Sequence, residues 1–299
     1  MSVVLNKQAV GFLYFLLFSL VFLSNTLVIC FIEISFWLLP FVIVQGLLWV
    51  GLIEMFHQTV HLNFFSHRRV NIIVGSVLGG FFGIGFFAYR GFHLRHHQTT
   101  NTYDDPECVF YDSSKKNMPV WWALIFSPFQ LFQYANKVNG AGIYFSEREE
   151  RYKNIDSFCR IALLASIGAG LLCSPELWLK LYFMPLIAFS VFEFLLAQSQ
   201  HYQVSASILP PRGKEHYMAG NNVALPKTVE FLVLFTNLHA AHHVLPKLKW
   251  YEVARALQDD ILCGVARPPM KFSGFLKSWF SNGCKVVSAH SGRDVSEGS

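Results

Sequence analysis

Charge is what this sequence is short of. Only 14% of its 299 residues are Asp, Glu, Lys or Arg, whereas a soluble domain carries about a quarter. That scarcity excludes a water-exposed surface over much of the chain. Paired cysteines are also missing. Cys30, Cys108, Cys159, Cys173, Cys263 and Cys284 contain no C-x-x-C spacing, and three of them (30, 159 and 173) fall inside apolar runs. They read as small buried hydrophobes in a reducing setting, not as a disulfide framework. No dinucleotide loop is present either: GGFFGIG lacks the G-x-G-x-x-G order, and no strand precedes it. The net charge of +5 comes with no basic face interleaved with exposed aromatics, which argues against nucleic acid as a partner. Basic residues in loops beside apolar segments account for that balance.

What is abundant is apolar length. The chain is 53% hydrophobic and holds 30 Phe. Residues 9–56 are nearly all apolar, roughly twice the ~20 residues that span a bilayer. Only Lys7 precedes this run, and the run outlasts a signal-peptide core, so a transmembrane hairpin is expected. Ser24, Asn25 and Thr26 interrupt it, and a turn is expected there. A glycine-dense run follows at 70–89, where Gly75, Gly79 and Gly83 would line one small-residue helix face, embedded or re-entrant in the membrane. Runs at 157–173 and 178–198, linked by Ser-Pro-Glu, predict a second hairpin. PVWWALIFSPFQLFQY reads as interfacial. MKFSGFLKSWF reads as an amphipathic surface helix. A short apolar helix over 229–238 is expected to run straight into His239.

Arg68, Arg69, Arg90, Arg95, Lys115, Lys116, Arg148 and Arg151 all fall in the loops opposite the two hairpin links. The excess of cations places those loops, and both termini, in the cytoplasm. The expected fold is all-α: an integral membrane protein with about four transmembrane helices and a cytoplasmic helical cap. One membrane domain is expected over residues 1–280, with a disordered polar tail over 281–299.

The chemistry lies in the histidines. Of 12 His, eight fall in three short boxes: His57 and His61; His93, His96 and His97; His239, His242 and His243. Spacings of i, i+3 and i+4 put each set on one helix face. Each box closes an apolar segment on the side of the basic loops, and His201 ends another such segment there. Nine imidazoles at one depth exceed one zinc ion and match two metals with four or five ligands each. Imidazole suits iron, zinc, copper and nickel alike. The membrane setting favours iron, because lipid C–H bonds are oxidised by a metal and O2, not by side chains. Glu54, one turn before His57, and Asp105, beyond the second box, are candidates to orient imidazoles from behind. Asp104 and Glu107 are left open. Glu193, inside an apolar run, is expected near the site or in a buried hydrogen bond. Isolated histidines usually pack in a core, and His67, His216 and His290 are read that way.

These residues resemble the membrane fatty acid desaturase superfamily, the histidine-box di-iron proteins. The resemblance runs from about residue 35 to 260 and is most specific in HLRHHQTTNTYDDPE (93–107) and NLHAAHHVLPKLKWYEV (237–253). In the second stretch His242, His243, Pro246 and Trp250 carry an H-H-x-x-P-x-x-x-W pattern. The resemblance implies that the eight box histidines bind two iron ions and that His201 is an additional ligand. It implies O2 as co-substrate and desaturation of a fatty acyl chain. A related hydroxylase, ketolase or terminal-alkene-forming reaction is the alternative, and a metal transporter is a more distant one. Many members carry Asp after the first histidine of box one, where this chain has Gln58. No flavin, haem or iron–sulfur motif is visible, so an external electron donor of ferredoxin or cytochrome b5 type is implied.

Overall fold

The computed structural model describes residues 7–102, 104–108, 120–140, 153–204 and 207–282. Lys115, Lys116, Arg148, Arg151, Cys284, His290 and nearly all of the expected tail lie outside the described residues. Among the described residues the chain is mostly helical, with one two-residue parallel pairing of Val223–Ala224 (β1) and Met270–Lys271 (β2). Four helices are long and apolar enough to cross a membrane: Ala9–Phe31, Phe36–Val60, Asn154–Cys173 and Pro175–His201. All five cysteines among the described residues are free thiols. The chain divides into two compact units, residues 1–87 with 146–192, and 88–145 with 193–299.

In the first unit, α1 (Lys7–Phe31) and α2 (Leu39–Val60) form the expected hairpin, but its turn lies further on. Ser24, Asn25 and Thr26 are inside α1. Asn25 Nδ2 donates to the Phe41 carbonyl at 3.0 Å and to Gln45 Oε1 at 2.6 Å, and Gln45 Nε2 donates to Thr26 Oγ1 at 3.0 Å. Polar residues in an apolar helix are read here not as a break but as a hydrogen-bonded seam between helices. Ile32–Ser35 make the turn instead, followed by a 3-10 turn at Phe36–Leu38.

The run at 70–89 is two helices, not one. Helix α3 (Arg68–Phe81) and α4 (Phe86–Thr99) meet at 97°. Gly83 is not on the small-residue face; it adopts φ +69° in the bend, a left-handed conformation that suits glycine. Gly75, Gly79 and Gly80 form the packing face. A Cβ on Gly79 would meet the Phe56 ring of α2 at 2.8 Å, and one on Gly80 would meet Cys159 Cβ at 2.6 Å. Cys159 belongs to α7 (Lys153–Cys173). Asp156, also of α7, accepts the Phe87 backbone N–H at 2.8 Å and so satisfies one of the open donors at the start of α4.

Helix α8 (Pro175–His201) starts on a proline, whose missing N–H is harmless at a helix start. Its second proline, Pro185, cannot donate, and a π turn at Leu179–Phe183 lies just before it. That turn carries a buried lysine. Lys180 Nζ donates to the Ile32 carbonyl at 3.0 Å and the Cys30 carbonyl at 3.4 Å, with Glu176 at 3.4 Å. The unpaired carbonyls at the end of α1 thus take up the charge. Trp49 packs edge-on against Phe81 and Tyr182 at 4.7 and 5.3 Å. The opposite faces of α1 and α7 leave Phe12, Leu16, Leu20, Phe158, Ile161 and Leu164 exposed. An apolar face of that extent requires lipid, not water.

In the second unit, α5 (Val120–Ile125) and α6 (Ser127–Gly140) expose Trp121, Ile125, Phe129 and Phe132, as an interfacial segment should. Short helices α9 (His216–Ala219), α10 (Lys227–Leu232), α11 (His239–Val244) and α12 (Val253–Leu262) follow. Helix α13 (Phe272–Asn282) buries Phe275 and Trp279 against Phe194 and Tyr202, the amphipathic helix expected. The apolar stretch before box three does not run straight into it. Leu234 and Phe235 have φ of +54° and +57° and break α10 from α11. Such residues are held against a cost of about 1–3 kcal/mol each. What holds this break is Asn237, whose Nδ2 donates to the Val223 carbonyl at 2.7 Å, and Glu230, which accepts the Leu225 N–H at 3.3 Å.

Candidate metal centre

Box one closes α2. The last turns of that helix are buried through Val60, so His57 is almost wholly enclosed. Glu54 lies one turn earlier and its Oε2 accepts from His57 Nδ1 at 3.1 Å. His57 Nε2 is left facing His61 Nε2 at 3.3 Å. The partner missing at Gln58 is therefore supplied by Glu54. Gln58 itself is buried, and its Oε1 makes no hydrogen bond among the described residues.

Box two lies on α4 and box three on α11, and in the second unit they come together. His93, His97 and His242 each offer a ligand atom within 4.8 Å of the others, and so do His96, His239 and His243. The His201 ring, at the end of α8, is 4.8 Å from that of His239 and 5.7 Å from that of His96. Two asparagines make this approach. Asn221 ties the end of α8 to box three: its Nδ2 donates to the Tyr202 carbonyl at 2.8 Å and its N–H to the Gln200 carbonyl at 2.7 Å, while its own carbonyl accepts the Ala240 N–H at 3.4 Å. Asn222 Oδ1 caps the start of α11 by accepting the Ala241 N–H at 3.0 Å. Neither asparagine was a candidate from the sequence, because their spacing to the histidines carries no periodic signal.

The hydrogen bonds fix which ring nitrogen faces inward. Asp105 is buried and accepts from His96 Nδ1 at 2.8 Å. Its other oxygen accepts the Asn101 N–H at 2.8 Å. Thr100 spends its hydroxyl hydrogen on the His96 carbonyl at 2.8 Å, so its oxygen is an acceptor for His243 Nδ1 at 3.0 Å. The Nε2 atoms of His96 and His243 then confront each other at 3.2 Å. Two neutral rings so oriented would oppose lone pair to lone pair, and a cation must sit between them. Two imidazole nitrogens facing each other in this way could both serve as ligands of one metal ion. His93 and His97 repeat the motif, Nε2 to Nε2 at 3.0 Å. Without a metal a proton takes that place. Burial lowers the proton affinity of His96, but Asp105 and Glu107 outweigh it and hold the ring up to about 9. His243 is driven well below the usual range by burial and by the surrounding histidines. A metal ion held by these rings would take the place of that proton. The donor set fits a metal centre built on imidazole and backed by carboxylates.

Glu107, left open by the sequence, has its Oε1 2.8 Å from His93 Nδ1. Asp104 is exposed, and Glu193 is partly buried in α8. Of the histidines set aside, His67 is exposed at the start of α3 and is not a packed core residue. His216 is buried at 8% exposure with its ring 5.6 Å from that of His243. It packs in the core, as expected of a lone histidine, and the packing of α9 on α11 brings it there.

The fatty acid desaturase profile matches residues 34–261. The chain is 22% identical over 244 residues to a Delta(12) fatty acid desaturase of Calendula officinalis, covering 71% of this chain and 64% of that one. It is 23% identical over 239 residues to a Delta(12) acyl-lipid conjugase (11E,13E-forming) of Momordica charantia, covering 69% and 59%. It is 22% identical over 252 residues to an sn-2 acyl-lipid omega-3 desaturase (ferredoxin), chloroplastic, of Helianthus annuus, covering 77% and 57%. The chain spans between about half and two thirds of the length of the curated relatives it matches.

Proposed function

The chain belongs to the fatty acid desaturase family, and from that premise we propose that it is an O2-dependent di-iron oxidoreductase that introduces a double bond into a fatty acyl chain. The observation that carries this reading is the inward pairing of Nε2 atoms, His96 with His243 at 3.2 Å and His93 with His97 at 3.0 Å. Nine residues would hold the two irons: His57, His61, His93, His96, His97, His201, His239, His242 and His243. Bound iron supplies what no side chain can, the O2-dependent oxidation of an unactivated C–H bond. The protein's own work is positioning. Glu54 and Asp105 keep the Nδ1 protons of His57 and His96 turned away from the centre and make the rings better ligands. The acyl chain would reach the centre from the bilayer, because box one closes the apolar α2 and His201 closes the apolar α8. Electrons come from an external donor of ferredoxin or cytochrome b5 type. The boxes, the basic loops and both termini face the cytoplasm, on the distribution of Lys and Arg.

A second oxidative outcome, hydroxylation, ketone formation or a terminal alkene, is kept in view by one finding. A conjugase stands among the relatives beside desaturases, and the outcome at one metal centre follows how the substrate is held. The test is gas chromatography with mass spectrometry of total lipids and hydrocarbons from a host expressing the chain with a competent electron donor. A host expressing His97→Ala serves as comparison. A new double bond present only with the intact chain is the expected result. A hydroxyl, keto or shortened product would select the alternative, and identical profiles would reject lipid oxidation.

A further inference from the structure

Glu107 lies outside all three boxes, yet its carboxylate touches both imidazole groups of the second unit. Its Oε1 accepts from Nδ1 of His93, which stands with His97 and His242. Its Oε2 is 3.8 Å from Nε2 of His96, which stands with His239 and His243. The side chain is 14% exposed. Its own backbone N–H is fixed, donating to Asp105 Oδ1 at 2.9 Å. The Asp105 carboxylate therefore holds the backbone from which Glu107 projects.

Helix α6 holds this carboxylate from the far side. Tyr134 hydrogen-bonds both Glu107 and Tyr89. Tyr89 sits one turn before His93 with the two rings 5.3 Å apart, and Phe92 packs edge-on to Tyr134 at 5.8 Å. Lys137, three residues after Tyr134 on the same helix face, donates to the Pro106 carbonyl at 3.2 Å. Two side chains of an interfacial helix thus grip residues 106 and 107.

We propose that Glu107, clasped by Tyr134 of α6, is the positioning residue that orients His93 and sets the charge beside His96, so that one carboxylate tunes both metal positions. This rests on the metal-binding reading above. Orientation by a carboxylate strengthens an imidazole ligand and fixes its tautomer. Glutamine at 107 would keep a hydrogen-bond acceptor but remove the charge. Alanine would remove both.

The full-length chain in detergent, loaded with 57Fe(II), tests this through iron release to a strong chelator and Mössbauer spectra, neither of which reads activity. Glu107→Ala should release iron about 10–100-fold faster than the parent. Glu107→Gln should keep the iron but shift the spectrum, and Tyr134→Phe should release it several-fold faster. Asp104→Asn, an exposed neighbour, should behave as the parent. Parent-like release and spectra in Glu107→Ala overturn the proposal. If that variant does not fold, parent-like behaviour of both Glu107→Gln and Tyr134→Phe overturns it equally. A parent chain that takes up no iron would instead sink the metal reading itself.

Discussion

At the scale of single residues, the centre is organised by which nitrogen each ring turns outward. Asp105 and Thr100 fix two rings, and the consequence is a 3.2 Å confrontation of Nε2 atoms. The box spacing alone was enough to nominate the candidate ligands, because i, i+3 and i+4 are neighbours on a helix. Asp105 and Glu54 were also legible, each lying close in sequence to a box. Thr100 and Asn222 were not, since Thr100 meets His243 across 143 residues and Asn222 meets Ala241 across 19, with no periodic trace. Asp105→Asn is expected to weaken metal binding about 10–100-fold while the chain still folds. Competition between the loaded protein and a chelator of known affinity checks it, and parent-like affinity would mean that Asp105 only braces the backbone of Asn101.

At the scale of elements, apolar length predicted the helices well and polar interruptions predicted the turns poorly. Ser24-Asn25-Thr26 has the composition of a turn, but in lipid a helix keeps its backbone hydrogen bonds and offers such side chains to a neighbour. Gln45, twenty residues on from Asn25, was the partner the sequence could not reveal. The break at Leu234 and Phe235 was hidden for the opposite reason: both are apolar, and the hydrogen bonds around them, from the Phe235 N–H to the Glu230 carbonyl and from Asn237 Nδ2 to the Val223 carbonyl, leave no trace in hydropathy. The glycine face was legible as spacing, though Gly80 replaces Gly83 on it. Gly80→Val is expected to destabilise the first unit by about 1–3 kcal/mol, since even a Cβ there falls 2.6 Å from Cys159 Cβ. Thermal denaturation in detergent measures this, and an unchanged midpoint would show that α3 and α7 can separate without loss.

At the scale of the whole molecule, four apolar helices and clustered imidazoles were both foreseen, and the desaturase profile over residues 34–261 covers the same stretch as the sequence resemblance. Hydropathy and short-range spacing are properties of sequence, so both survive translation into structure. The substrate's chain length and the carbon attacked are properties of a shaped, lipid-filled space and leave no linear trace. The proposed function stands on these histidines holding two iron ions. Iron quantified per chain on the purified full-length protein, beside His243→Ala purified alike, tests it most directly. Close to two irons are expected in the parent and about one or fewer in the variant, with helical content unchanged. A parent with no iron, or a variant that keeps both ions, would contradict it.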